Sequence, residues 1–256
     1  MILRIQGNRG GNRMSDVLVL ITATINSGQT PSVKRSDPEQ RKQDYLRVFR
    51  AWISMNCDAD ILFCENSSAD LSCFREAATN QGDKTRIRLV SFPGNDGAQH
   101  KGKGYGEMEI IRYAFDRMPD LINYRYIVKV SGRYQIKNGV ELLDRIGMMS
   151  ADLICDIHAN LTYGDTRTVA FKPEVALAHL IPYQEEADEN HGVVIEHVMA
   201  RCLHRTLLAG GSWAPLPCTP YCDGVSGTWN TPQRDTLLYR IKQDIKRRIA
   251  RWIYRY

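Results

Sequence analysis

Four short apolar runs, each followed by a stretch of helical periodicity, constrain this chain more than any other feature. Residues 17–25 (VLVLITATI) are β-branched and almost wholly apolar, so they read as a strand buried on both faces. Asp37-Pro38-Glu39 then opens a helix, with Asp as the N-cap and Pro in the first turn. Tyr45, Val48, Phe49, Trp52 and Ile53 recur along one side of it. Residues 60–64 form a second strand, 69–80 a short helix and 87–92 a third strand. A loop rich in Gly, Asn and Asp follows. A helix from about Tyr105 to Met118 then leads to a fourth strand at 126–130 and a helix at 139–148. Strands that alternate with helices need a crossover at every step, which predicts a mostly parallel sheet with helices on both faces.

Residues 152–157 and 166–171 read as two further strands, 173–180 and 190–208 as helices, and 212–228 as irregular. A terminal helix is expected from about Thr231-Pro232. No repeat or linker interrupts residues 17–230, so the chain is expected to hold one α/β, Rossmann-like domain over 15–230. A disordered leader (1–14) precedes it and a basic amphipathic helix (231–256) follows.

The net charge of +5 is placed unevenly. Residues 240–256 hold seven Arg or Lys against Asp244 alone, which leaves −1 for the other 239 residues. A near-neutral body excludes a nucleic-acid-binding one. In the tail, Leu237, Leu238, Ile241, Ile245, Ile249, Trp252 and Tyr256 recur at helical spacing among the basic residues. That is the composition of an interfacial helix on an anionic leaflet; a helix docked on the protein with a solvated basic side is the other reading. No apolar run reaches the roughly 18–20 residues of a membrane span, and the opening residues lack a signal-peptide core. The expected location is cytoplasmic, peripheral on the inner membrane face. Seven scattered cysteines argue against a disulfide framework, and Cys218 and Cys222 form a C-x3-C with no second half.

The chemistry-bearing residues gather after strands. Residues 100–107 (HKGKGYGE) combine Gly102, Gly104 and Gly106 with Lys101 and Lys103 at a helix start, where backbone amides and cations favour an anion. The spacing is neither a Walker motif nor a dinucleotide fingerprint, and a plain surface turn is the alternative. Residues 129–134 (KVSGRY) close the fourth strand. Lys129 in an apolar strand is costly unless it meets a ligand or a structural partner such as Glu107, and Arg133 has the fork geometry that suits phosphate. Thr22 and Thr24 end the first strand and Glu65-Asn66-Ser67 the second; they either hold a nucleoside or serve the sheet and its turns. Glu189 and Glu196, seven apart, offer a general base or routine helix-dipole partners. Asp156 and His158 are two apart on one strand face, too few for a metal site.

Together, Thr22-Ala23-Thr24-Ile25, Glu65-Asn66-Ser67, residues 102–107, residues 129–134 and Gly224-Val225-Ser226-Gly227 resemble GT-A-type glycosyltransferases of bacterial capsule or lipopolysaccharide O-antigen synthesis. The resemblance spans about residues 18–230. It implies transfer of a sugar from a nucleotide-sugar donor to a lipid-linked or polysaccharide acceptor. Thr22, Thr24, Glu65, Asn66, Lys103, Gly104, Lys129 and Gly132 would bind the nucleotide-sugar. Arg133 would act with Glu189 or Glu196 in catalysis, by inversion if one carboxylate is the base. Many such enzymes carry Asp-x-Asp after the fourth strand to bind Mg²⁺ or Mn²⁺; here the position reads Ser131-Gly132-Arg133. No metal ligand is assigned, the metal requirement stays open, and Lys103, Lys129 or Arg133 would supply the counter-charge, as a CMP-sugar donor would suit. A non-catalytic nucleotide- or phosphosugar-binding protein is the alternative.

Overall fold

Alternation of side chains along the central strands decides the architecture. In the computed structural model the strand Val17–Ala23 sends Val19 and Ile21 to one core and Leu18 and Leu20 to another. Ile61 and Phe63 share the first core with Val128 and Val130, while Leu62 and Ile127 join the second. A strand buried on both faces has no polar side, which is why these runs lack polar alternation. The structure describes residues 3–5, 15–31, 33–80, 87–158, 160–226, 230–234, 236, 238, 241–245 and 249.

In chain order the strands are β1 (Leu3–Ile5), β2 (Val17–Ala23), β3 (Asp60–Glu65), β4 (Ile87–Ser91), β5 (Tyr126–Ser131), β6 (Tyr134–Ile136), β7 (Leu153–Ile154), β8 (Ile157–His158), β9 (Tyr163–Gly164), β10 (Thr168–Phe171), β11 (Trp213–Ala214), β12 (Cys222–Val225) and β13 (Pro232–Arg234). The helices are α1 (Pro38–Ser54), α2 (Ser72–Thr79), α3 (Asp96–Lys101), α4 (Lys103–Arg117), α5 (Gly139–Gly147), α6 (Pro173–Val175) and α7 (Ile195–Leu208). The eight-stranded sheet runs β1-β4-β3-β2-β5-β10-β7-β11. Pairing is parallel through β4, β3, β2 and β5 and again between β7 and β11; β1 and β10 pair antiparallel to their neighbours. The fold is therefore α/β, with a mostly parallel sheet flanked by helices.

The two layers set the position of the site. Helix α1, capped by Asp37 accepting from the amides of Glu39 (2.8 Å) and Gln40 (3.2 Å), lays Tyr45, Phe49 and Trp52 on one face of the sheet. Helix α4 lays Met108, Ile111 and Phe115 on the other. The crossover after β2 thus runs over one face and the one before β5 over the other. A crevice opens where they part, at the carboxyl ends of β2 and β5, the place where open α/β sheets bind ligands.

Several expectations are corrected. Leu3–Ile5 pairs with β4 as an edge strand, so these three residues of the expected disordered leader are ordered; residues 6–14 lie outside the described ones. Residues 96–101 are helical, and α4 starts at Lys103 rather than Tyr105. The irregular stretch contains β11 and β12, and the terminal segment opens with β13, which pairs with β12, instead of a helix. Helical residues appear at 238, 241–245 and 249; the rest of the tail lies outside the described residues.

Candidate active site

A cleft of about 590 Å³ fills the crevice. Thr22 and Thr24 reach it from the end of β2, Ser131, Gly132 and Arg133 from the end of β5, Lys103 and Glu107 from α4, and Glu196 from the first turn of α7. Gly132 is there because nothing larger fits: a Cβ would lie 2.7 Å from the carbonyl oxygen of Thr22, to which its own amide donates at 3.0 Å.

The cations are arranged unequally. Lys129, 1% exposed, faces α4 and pairs with Glu107, donating also to the Thr166 carbonyl and, at 3.4 Å, to Ser131 Oγ. It lies beneath the cleft, outside its lining, and its charge is spent on Glu107; the ligand contact expected of it is replaced by the structural pair. Arg167 is held by Asp165 in a two-pronged pair, Nε to Oδ1 at 3.0 Å and Nη2 to Oδ2 at 2.6 Å. Burial pushes the Asp165 carboxyl up, but Arg167 outweighs it and the net shift is downward.

Arg41 and Arg133 are different. Arg41, 4% exposed, donates to the carbonyls of Thr24, Ile25 and Arg35 and to the Tyr45 hydroxyl. Burial lowers its pKa, and Arg133 is close enough to lower it further, against the opposing pull of Tyr45, Asp44 and Glu65. Asp44 is gripped by Arg35 at 2.5 Å and 3.2 Å. Arg133 has a buried Nη1 with no hydrogen-bond partner. A guanidinium nitrogen kept from water and protein acceptors alike is expensive, and two adjacent arginines on one cleft wall favour an anion between them.

Glu196 is the carboxylate left for chemistry. Burial, then Glu107, raises its pKa above the ordinary carboxylate range, while Lys103 and Lys129 pull it back. Tyr163 on β9 stands beside it, its phenol pushed up to about 12 by burial and by Glu196 and Asp165. Gly164 lets β9 approach α7 so closely: a Cβ there would lie 2.9 Å from Met199 Cγ.

Besides Lys129, four expected site residues do other work. Glu65, fully buried, accepts from the amides of Ile25, Ser67 and Ala69 and from the Ser67 and Ser91 hydroxyls, tying the loops after β2 and β3 to the end of β4. Asn66 accepts from Thr24 Oγ1 at 2.7 Å and donates to the Gly106 carbonyl and Glu109. Gly104 is a packing contact, since a Cβ would sit 3.0 Å from the amide nitrogen of Ile195. Glu189 lies in a separate 3-10 turn before α7, outside the cleft lining, and accepts from the Gly104 amide at 3.1 Å. The anion at the glycine-rich helix start is thus the protein's own carboxylate. The remaining expected residues, Thr22, Thr24, Lys103, Gly132, Arg133 and Glu196, converge on the cleft. Sequence reasoning missed Arg41, Tyr45, Tyr163, Asp165 and Arg167 there. Arg41 had a signal, four residues before Tyr45 on the apolar stripe of α1, where an arginine needs an explanation; Tyr163 sits in a two-residue strand and Asp165 in the loop after it, with no periodicity.

The residues at the strand end do not fit a divalent cation. The end of β5 offers Ser131, Gly132 and Arg133 and no carboxylate, while Glu107 is engaged by Lys129 and Asp165 by Arg167. Among the described residues no three His, Cys, Asp or Glu side chains gather to hold an ion.

No protein-family model matches the chain, and no curated protein matches it in sequence. Solved structures do. A Desulfovibrio desulfuricans protein described as a nucleotide-diphospho-sugar transferase matches at a TM-score of 0.47 with 12% identity, over 79% of this chain and 80% of that one. The galactosyltransferase LgtC, solved with donor and acceptor sugar analogs, matches at 0.47 with 10% identity, over 77% and 73%. A Vibrio cholerae nucleoside-diphosphate-sugar pyrophosphorylase matches at 0.47 with 12% identity, over 77% and 90%. Likeness at this level says nothing about chemistry.

Proposed function

We propose that this chain is a glycosyltransferase that moves a sugar from a nucleotide-sugar donor to a hydroxyl of a glycan or lipid-linked acceptor in cell-surface polysaccharide synthesis. The observation that carries the reading is the buried, unpartnered Nη1 of Arg133 beside Arg41, at the sheet's switch point. A phosphate oxygen there would satisfy the nitrogen and neutralise two adjacent cations. Lys103 adds a third positive group to the same cleft.

The transfer follows as a direct displacement. The acceptor oxygen bonds to the anomeric carbon while its proton passes to the Glu196 carboxylate. The bond from that carbon to the phosphate oxygen breaks, and its electron pair leaves with the phosphate. Charge developing on that oxygen faces Arg133 and Arg41, groups fixed before the reaction begins. Displacement from the opposite side inverts the anomeric centre.

The test is donor turnover with UDP-, GDP-, dTDP- and CMP-sugars in the presence of EDTA. Arg133→Ala lowers kcat by at least about tenfold, the scale of losing one charge-stabilising contact, and Arg133→Lys restores part of it. Turnover indifferent to both substitutions removes the role of Arg133. Nucleotide-sugar binding with neither transfer nor hydrolysis makes the protein a binder instead.

A further inference from the structure

The described part of the carboxy-terminal segment turns its apolar side away from the protein. Leu238, Ile241, Ile245 and Ile249 follow the helical interval of three or four residues and are 79%, 47%, 52% and 52% exposed. Gln243 and Asp244 are half-buried. Asp244 Oδ1 accepts from Thr219 Oγ1 at 2.5 Å, and Gln243 forms part of the wall of a small side pocket with Thr219, His158, Asp165 and Arg167. At about 100° per residue, positions 243 and 244 fall on the side away from the stripe.

A helix seated by its polar side leaves four branched aliphatic side chains in water, the reverse of what a surface helix does when its only contact is the domain core. Something covers them. A second copy laid along the stripe would bring together two tails that each carry seven basic residues and one acid, and like charges oppose that. An anionic leaflet buries the aliphatic side chains and attracts a segment of this charge, in which Lys242 is exposed beside the stripe.

We infer that this helix is a docking surface for anionic bilayers, and that it holds one flank of the cleft against the leaflet. The second part follows from the shared wall: His158, Asp165 and Arg167 line both the cleft and the side pocket that Gln243 helps to close. A lipid-linked acceptor would then reach Glu196 from the membrane side. That clause rests on the transfer reading; the docking does not.

The experiment is co-sedimentation of the full chain with phosphatidylcholine vesicles, with and without phosphatidylglycerol. The protein partitions onto the phosphatidylglycerol vesicles at least about tenfold better, and added salt weakens the binding. Replacing Leu238, Ile241, Ile245 and Ile249 together by Ser lowers the partition by at least about tenfold, with the melting temperature held and donor turnover without vesicles unchanged. Equal binding to both vesicle types, or none, overturns the inference using the unaltered protein. A dimer in gel filtration that the fourfold variant makes monomeric overturns it too, by giving the stripe to a second copy. If turnover is absent but vesicle binding behaves as stated, the transfer reading fails and the docking stands.

Discussion

Lys129 shows how one buried charge sets both stability and chemistry. Its position on β5 alternates toward α4, opposite Leu20 and Val169, so it has no route to water and needs Glu107. Glu107 is 19% exposed at its side chain and keeps some hydration, whereas Lys129 is 1% exposed. The two single substitutions are therefore unequal. Glu107→Gln strands a fully buried ammonium and costs about 3–5 kcal/mol, the range for breaking a buried pair. Lys129→Met leaves a partly hydrated carboxylate and costs less, and the double variant recovers part of the loss. Denaturant unfolding of the three proteins measures this; equal single penalties would show that burial does not decide the asymmetry. Glu196 gives a second test at the same scale. Its raised carboxyl pKa, caused by burial and Glu107, means that the base becomes active only as pH climbs above the ordinary carboxylate range. Turnover rises with pH through that shifted value. Lys103→Met removes a cation that pulls the pKa down, so the limb moves to still higher pH. Glu196→Gln removes the limb and lowers turnover by about 10²–10⁴-fold. A limb unmoved in Lys103→Met would mean that another group titrates.

At the scale of elements, much of the scaffold was legible. Strands β2, β3, β4 and β5 fall within two residues of their expected ends, because an apolar run buried on both faces stops where the chain meets water. Asp37 and Pro38 marked the start of α1 through local chemistry alone. The glycine-rich stretch was misread for a physical reason. Gly104 and Gly106 are spaced as in an anion-binding loop, yet they lie inside α4 and are small so that Ile195 and Ala98 can come close. The carboxylate that caps this helix arrives from Glu189, 85 residues away in sequence. Glu65 and Asn66 stand at the end of β3 as expected, and their partners come from the loops after β2 and β3, the end of β4 and helix α4. Local pattern specifies where a strand ends; only the fold specifies what meets it there. Of the expected residues that line the cleft, Thr22, Thr24, Gly132 and Arg133 follow from strand ends, while Lys103 and Glu196 come from the first turns of α4 and α7.

For the whole molecule, the decisive arrangement is a cationic crevice between two layers with separate cores. Helix α1 carries Arg41 on one side, α4 carries Lys103 on the other, and Arg133 sits between them at the end of β5. A ligand that joins these groups ties both layers together, so its binding energy appears as resistance to global unfolding rather than as local ordering. A nucleotide-sugar at 100 times its dissociation constant adds about 2.7 kcal/mol. For a domain of this size each kcal/mol raises the melting temperature by about 2–4 °C, so a rise of roughly 5–10 °C is expected from the right donor. Under the proposed transfer, Arg133→Ala loses most of that rise, because the phosphate contact would bridge the layers. Glu189→Gln keeps it, because that carboxylate caps α4 outside the cleft; its cost, about 0.3–1 kcal/mol for a helix-terminus charge, falls equally on the free and the liganded protein. Differential scanning fluorimetry across the four donor classes measures all three proteins at once. If Glu189→Gln erases the rise and Arg133→Ala preserves it, the ligand sits at the glycine-rich helix start and not at the arginine pair, and the crevice is not the donor site.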